Sequence, residues 1–242
     1  MRIYIVQLIF IIIFFGNTKA QSVFPGLNKI EVKHFKGIEL HLDPTSSEIY
    51  NQKRIDLDSN NIFFTDMDCE SIYMTLIATV KIDNSSEKKY AITYSNCPEG
   101  EFTIYDAENP DSVYGSIIAE KLYITGNKNL YSSGNTNNTF DVKRKFKFTN
   151  NQLSEVKQQY YFVGIKSYTL NPIKLYESQK LEEEILQLPK NYPIEILLSQ
   201  NSHNSMEGLY LVKTKFGLLG WTILKAGQYK SIDVDSLIYY GD

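Results

Sequence analysis

The stretch YLVKTKFGLLGWTIL, residues 210–224, decides how this chain is read. Tyr210, Val212 and Thr214 alternate with Leu211 and Lys213. That period of two sends successive side chains to opposite faces of a strand. The pattern breaks at Phe216–Gly217, where a glycine lets the chain reverse, and then runs on to Leu224. An antiparallel hairpin follows, with Tyr210, Val212 and Thr214 sharing one face. Gly220 permits a close backbone approach or a sharp bend. Trp221, the single tryptophan of the chain, then closes a small core or lines a groove. Burial is the expectation for a lone tryptophan in a small β unit.

The same alternation extends over much of the 242 residues. Ile30 and Val32, then Ile38, Leu40 and Leu42 after Gly37, predict a hairpin over 28–42. Residues 71–83 and 88–95 predict paired strands around the turn 83–87, and 100–106 and 116–126 continue the series across the Asn109–Pro110–Asp111 turn. The Asn- and Gly-rich segment 128–140 reads as a further turn. In FDVKRKFKF (140–148), Phe140, Val142, Phe146 and Phe148 fall on one face with Arg144, and Lys143, Lys145 and Lys147 on the other. This is a strand with a solvated lysine face rather than an anion-binding patch. Residues 150–170 open with a turn and continue as a strand. For 177–188 a loop followed by a strand is preferred to a helix. With 18 Tyr and 13 Phe, a composition that favours strands, the expected fold class is all-β, mainly antiparallel.

The first twenty residues stand apart. Arg2, an apolar run over 3–15 and the small residues Thr18 and Ala20 predict an export signal cut near Ala20. Of 25 basic side chains, Arg2 and Lys19 leave with it, so 23 remain against 28 acids, a net charge of −5. That balance does not fit a nucleic-acid partner or an anionic membrane surface. The remaining chain contains no apolar run long enough for a transmembrane helix. Cys69 and Cys97 give an exported chain one candidate disulfide, or two buried thiols. His34 and His41 lack neighbours at metal-ligand spacing. Asp56, Asp58 and Asn60 resemble the start of a calcium loop, but Asn61 stands where glycine is needed and Met67 where the terminal glutamate belongs. No G-x-S-x-G elbow or phosphate-cradling glycine loop occurs, so no cofactor is expected and a non-catalytic role is preferred to an enzyme.

From about 166 to 225 the chain resembles the bacterial SH3-like (SH3b) domain. Leu170–Asn171, Leu188–Pro189–Lys190–Asn191, the apolar positions Ile194, Ile196 and Leu198, then Tyr210–Val212 and Gly220–Trp221 follow the order of the family's pattern. Asn191 replaces a usual glycine and suits a left-handed turn. Beside the signal peptide over 1–20 and the β-rich domain over 21–165 read from the residues, the resemblance implies a small SH3-like barrel with an extension over 166–242. It also implies a periplasmic or extracellular protein of the cell envelope that binds a peptide, a protein or a cell-wall component. Trp221, Tyr210, Tyr176 and Tyr192, with Tyr168, are the aromatics such a ligand would meet. The alternative is an envelope hydrolase with its site in the N-terminal unit and the SH3-like module for targeting.

Overall fold

The computed structural model describes residues 23–52, 54–56, 73–96, 100–109, 111–200 and 207–240. The expected signal segment, Cys69 and Cys97, and Asp58 and Asn60 of the calcium-like stretch lie outside them. Among the described residues there is no helix. The fold is all-β, and its strand pairs are antiparallel with one exception.

The chain opens with a hairpin of β1 (Asn28–Glu31) and β2 (Glu39–Leu42), in which Ile30 faces Leu40. Gly37 at φ +85° and His34 at φ +71° let the connection reverse. The chain then crosses to a second sheet. β3 (Ser47–Ile49) and β4 (Arg54–Asp56) pair with the two halves of β5 (Tyr73–Val80), and β6 (Tyr90–Ser95), β7 (Glu101–Asp106) and β8 (Val113–Ile118) follow as a meander. β9 (Lys121–Ile124), β10 (Asn129–Gly134), β11 (Val142–Thr149) and β12 (Gln152–Glu155) return to the first sheet. There β9 lies parallel to β2. Leu40, Leu122 and Leu130 from one sheet meet Ile77, Ile92, Phe102 and Ile104 from the other, all fully buried. Two sheets closed over one apolar layer make a β-sandwich.

Two expectations are corrected here. Residues 116–126 are two strands, because the chain changes sheets at Ala119–Glu120. Glu120 N–H donates to the Ser133 carbonyl at 3.1 Å, and its own carbonyl accepts from Glu39 N–H at 2.8 Å. The expected turn over 128–140 begins only at Asn135, since 129–134 form β10. Its small polar residues hid an alternation in which Leu130 and Ser132 are buried and Tyr131 is half-buried.

On the rim of the sandwich, Lys88 Nζ donates to Tyr114 Oη at 2.8 Å, and Tyr114 Oη donates to Asp106 Oδ2 at 2.6 Å. The ammonium also lies 3.0 Å from that carboxylate and 4.9 Å from the Tyr114 ring centroid. The Tyr114 hydroxyl, then the Glu108 N–H and then Lys88 hold the Asp106 carboxyl well below the usual carboxylate range. A depressed acid stabilises the fold above its ordinary pKa, about 3.9 for Asp, and that contribution disappears as pH falls through the folded value. Asp106→Asn is therefore expected to lower the melting temperature near neutral pH. The gap to the parent should narrow progressively below about pH 4. A gap independent of pH in a melting series would assign the loss to packing instead.

A third sheet holds β13 (Tyr161–Tyr168), β14 (Ile173–Tyr176), β15 (Glu184–Leu188), β16 (Pro193–Ser199), β17 (Gly208–Thr214) and β18 (Leu219–Leu224), in the order β13-β16-β17-β18-β14-β15. The segment 177–183 is a loop leading into β15, as preferred from the sequence. Ile173, Leu175, Leu188, Ile196, Tyr210, Val212 and Leu224 share one core. Its surroundings complete it from both sides in sequence. Phe140 and Val142 belong to this cluster, whereas Phe146 and Phe148 of the same β11 segment belong to the sandwich core. The lysine-bearing strand thus runs between two cores. After β18 the tail folds back: Val234 and Leu237 enter the second core, Thr169 bridges to Val234, and Tyr240 bridges to Thr136 and Asn138.

Candidate functional site

The parity of β18 sets the surface of the third sheet. A Cβ on Gly220 would stand 2.7 Å from Leu175 Cβ, so this position must face inward and stay bare. Thr222 and Leu224 are buried with it, and Leu219, Trp221 and Ile223 face out. Trp221 is half-buried, and the expectation that it fills the core is overturned: a one-residue offset from an inward glycine puts it on the opposite face.

The strand register carries this outward position across the sheet. Trp221 faces Tyr176 on β14 and Leu211 on β17, Leu211 faces Leu198 on β16, and Leu198 faces Phe162 on β13. Five strands each contribute one apolar side chain, and each of these is exposed or half-buried, Phe162 at 57%. At about 4.8 Å between strands the row is about 19 Å long. Leu198 joins it because of a bulge between Ile196 and Leu198. The plain alternation of Ile194, Ile196 and Leu198 would have buried it; one extra residue reverses its face.

Trp221 is braced from the junction between the two units. The Tyr160 ring packs on it at 5.5 Å between centroids and 43° between planes. The Tyr160 hydroxyl accepts from Gln159 Nε2 at 2.8 Å and from Gln179 Nε2. One long side of the row carries Leu209 and Ile223, paired in register; the other carries Leu219 and Lys213, whose ammonium sits 3.1 Å from Glu195. Beyond Tyr176 the loop to β15 is acidic, with Glu177, Glu182 and Glu183. A hydrogen bond to Glu183 and its like charge push the Glu177 carboxyl up.

Of the aromatics singled out from the sequence, the sheet brings Trp221 and Tyr176 together and separates the rest. Tyr210 is 1% exposed, so it belongs to the core and offers no ring to a ligand. Its hydroxyl bonds to Thr139 and Ser199, and burial pushes it upward in pKa. Tyr192 is half-buried against the same core, next to the left-handed turn residue Asn191 at φ +61°. Tyr168 is 58% exposed at the end of β13. Phe162, Leu198, Leu211 and Tyr160 were missed. His34 is exposed, and His41 is half-buried, stacked on Tyr123 at 4.5 Å with Glu39 at 3.0 Å. Among the described residues, no three of His, Cys, Asp and Glu are grouped so as to hold a metal ion. No helix there is long and apolar enough to cross a membrane.

An uncharacterised protein from Methanocaldococcus jannaschii is 29% identical to this chain over 85 residues, which is 35% of this chain and 27% of that protein. The chain thus spans about a quarter of the length of the curated relative it matches. No protein-family model matches the chain, and no solved structure matches it.

Proposed function

We propose that this is an exported, non-catalytic binding protein of the bacterial cell envelope. Its C-terminal SH3-like unit takes an extended peptide, free or as part of the cell wall, across the row Phe162–Leu198–Leu211–Trp221–Tyr176. The observation that carries this reading is the row itself: contiguous outward apolar side chains on a sheet whose other face is already filled. Exposed apolar surface of that kind marks interaction sites. Its length suits about six residues of extended chain at about 3.3 Å each. The acidic loop beside Tyr176 favours a partner with a basic group at that end. The resemblance of 166–225 to SH3-like domains supports the envelope setting, and the signal-like residues 1–20 support export. The like-charged pair Glu177–Glu183 lies on an exposed loop of the C-terminal unit. A hydrolase with its site in the N-terminal unit therefore gains nothing from it.

Co-sedimentation with purified peptidoglycan tests the proposal. The parent protein is expected to pellet with the wall, and Trp221→Ala to lose at least tenfold in affinity while keeping its far-UV spectrum and melting behaviour, because the ring lies outside the core. Retained binding in that variant would remove the row from the wall site. A parent that stays in the supernatant would end the cell-wall version.

A further inference from the structure

The outer face of the N-terminal sandwich carries a cleft of about 420 Å³, lined by residues none of which belongs to the row just described. Two cross-strand rows build its floor. Lys121, Ser133 and Lys143 face one another in register, and Tyr123, Tyr131 and Lys145 form the next row. Phe24 closes the apolar side, with ring centroids 4.9 Å from Tyr131 and 5.1 Å from Tyr123. Tyr123 is pinned from behind by the stacked His41 ring. Four basic side chains, Lys121, Lys143, Arg144 and Lys145, line the cleft against one acid, Asp141. This reverses the sign of a chain whose net charge is −3. Lys143 is engaged by Asp141 at 3.1 Å, and Lys121 lies 3.6 Å from Glu39. Lys145 makes no ion pair among the described residues. Gln158 donates to the Lys143 carbonyl at 3.0 Å, which places its amide at the rim beside Ser133.

We infer that this cleft binds an acidic saccharide, a sugar ring bearing a carboxylate. A bare inorganic anion would leave the Phe24–Tyr131 wall unmatched, and a purely apolar ligand would strip water from the lysines without replacing it. A sugar acid matches both: its C–H face lies on the aromatic wall, its hydroxyls reach Ser133 and the Gln158 amide, and its carboxylate accepts from Lys145 and Lys143. The solvated lysine face expected from the sequence is real as a face. What the sequence did not disclose is that the neighbouring strands bring a tyrosine pair beside it.

The test is calorimetric titration of the purified protein with trigalacturonate, with maltotriose as the neutral control and phenylacetate as a non-sugar carboxylate. Trigalacturonate is expected to bind and maltotriose not to, with affinity falling as salt is raised. Lys145→Gln is expected to weaken binding at least tenfold, Lys145→Arg to keep most of it, and Lys166→Gln, on an exposed position of β13, to change nothing. Tyr131→Ala leaves every charge in place and serves as the second variant; it too must weaken binding. Phenylacetate binding without trigalacturonate binding overturns the saccharide assignment. Trigalacturonate binding that survives both Lys145→Gln and Tyr131→Ala overturns the site, and absence of binding overturns the inference as a whole.

Discussion

Tyr210→Ala is expected to cost about 3–5 kcal/mol, the range for emptying a filled aromatic site in a core. Few other positions combine so much buried volume with so many dependants. The side chain is among the largest fully buried ones, and its hydroxyl bonds Thr139 and Ser199. Ser199 closes β16 of the second unit, but Thr139 lies on the connection between β10 and β11 of the first. The same connection is held from its other side by Tyr240, whose carbonyl accepts from Asn137 N–H at 2.6 Å. Tyr210→Phe isolates this tie. It keeps the ring and leaves two buried hydroxyls short of a partner, a loss of about 1–3 kcal/mol. Urea unfolding measures both variants. The parent should unfold in one transition, because Phe140, Val142 and Thr139 commit the first unit to the second core. Tyr210→Phe within about 0.5 kcal/mol of the parent would show that the hydroxyl does not hold the units together.

Much of this architecture was legible because most of the strands bury one face. Tyr210, Val212 and Thr214 are buried as their spacing required, and so are Phe140, Val142, Phe146 and Phe148. Those four phenylalanine and valine side chains gave no sign that they serve two different cores, since alternation records which face is buried and not against what. The parallel pairing of β2 with β9 and the change of sheet at Glu120 depend on partners far away in sequence, and neither position carries Gly or Pro to announce it. β10 was missed for a different reason. Ser132 and Ser133 read as turn residues, yet both are buried in a ladder that satisfies their backbone.

The outward apolar row was legible only in part. Trp221 and Tyr176 stood out by residue type, whereas Phe162, inside a stretch read only as a strand, did not. Leu198 could not have been assigned, because the bulge that turns it outward leaves no mark in an unbroken run of Ile and Leu. Tyr210 was misassigned because an aromatic residue announces buried area and ligand contact alike. The deciding signal was the parity of Gly220. If that glycine admits a close neighbour, its own face is inward, and Trp221 must then look out.

Gly220→Ala tests that reasoning most directly, with an expected loss of about 1–3 kcal/mol from overpacking. The obstacle is Leu175 Cβ at 2.7 Å, an atom fixed to its backbone within a buried strand, so no rotamer change can clear it. Ile185 Cδ1 at 3.2 Å narrows the space further. Gly217, three residues earlier, provides the contrast. Nothing lies within 4 Å of a Cβ built there, but its φ of +99° is one that L side chains rarely adopt. Gly217→Ala should cost about 1 kcal/mol through backbone strain alone, and Gly217→Asn should recover part of it, since Asn tolerates positive φ. Gly220→Asn should recover nothing and add to the loss, because there the limit is volume. Melting temperatures of the four variants separate the two causes. An Asn that helps at Gly220 as well would mean that Gly220 is not held against Leu175, and with that the outward face of Trp221 would lose its basis; an Asn that helps at neither would refute only the strain account of Gly217.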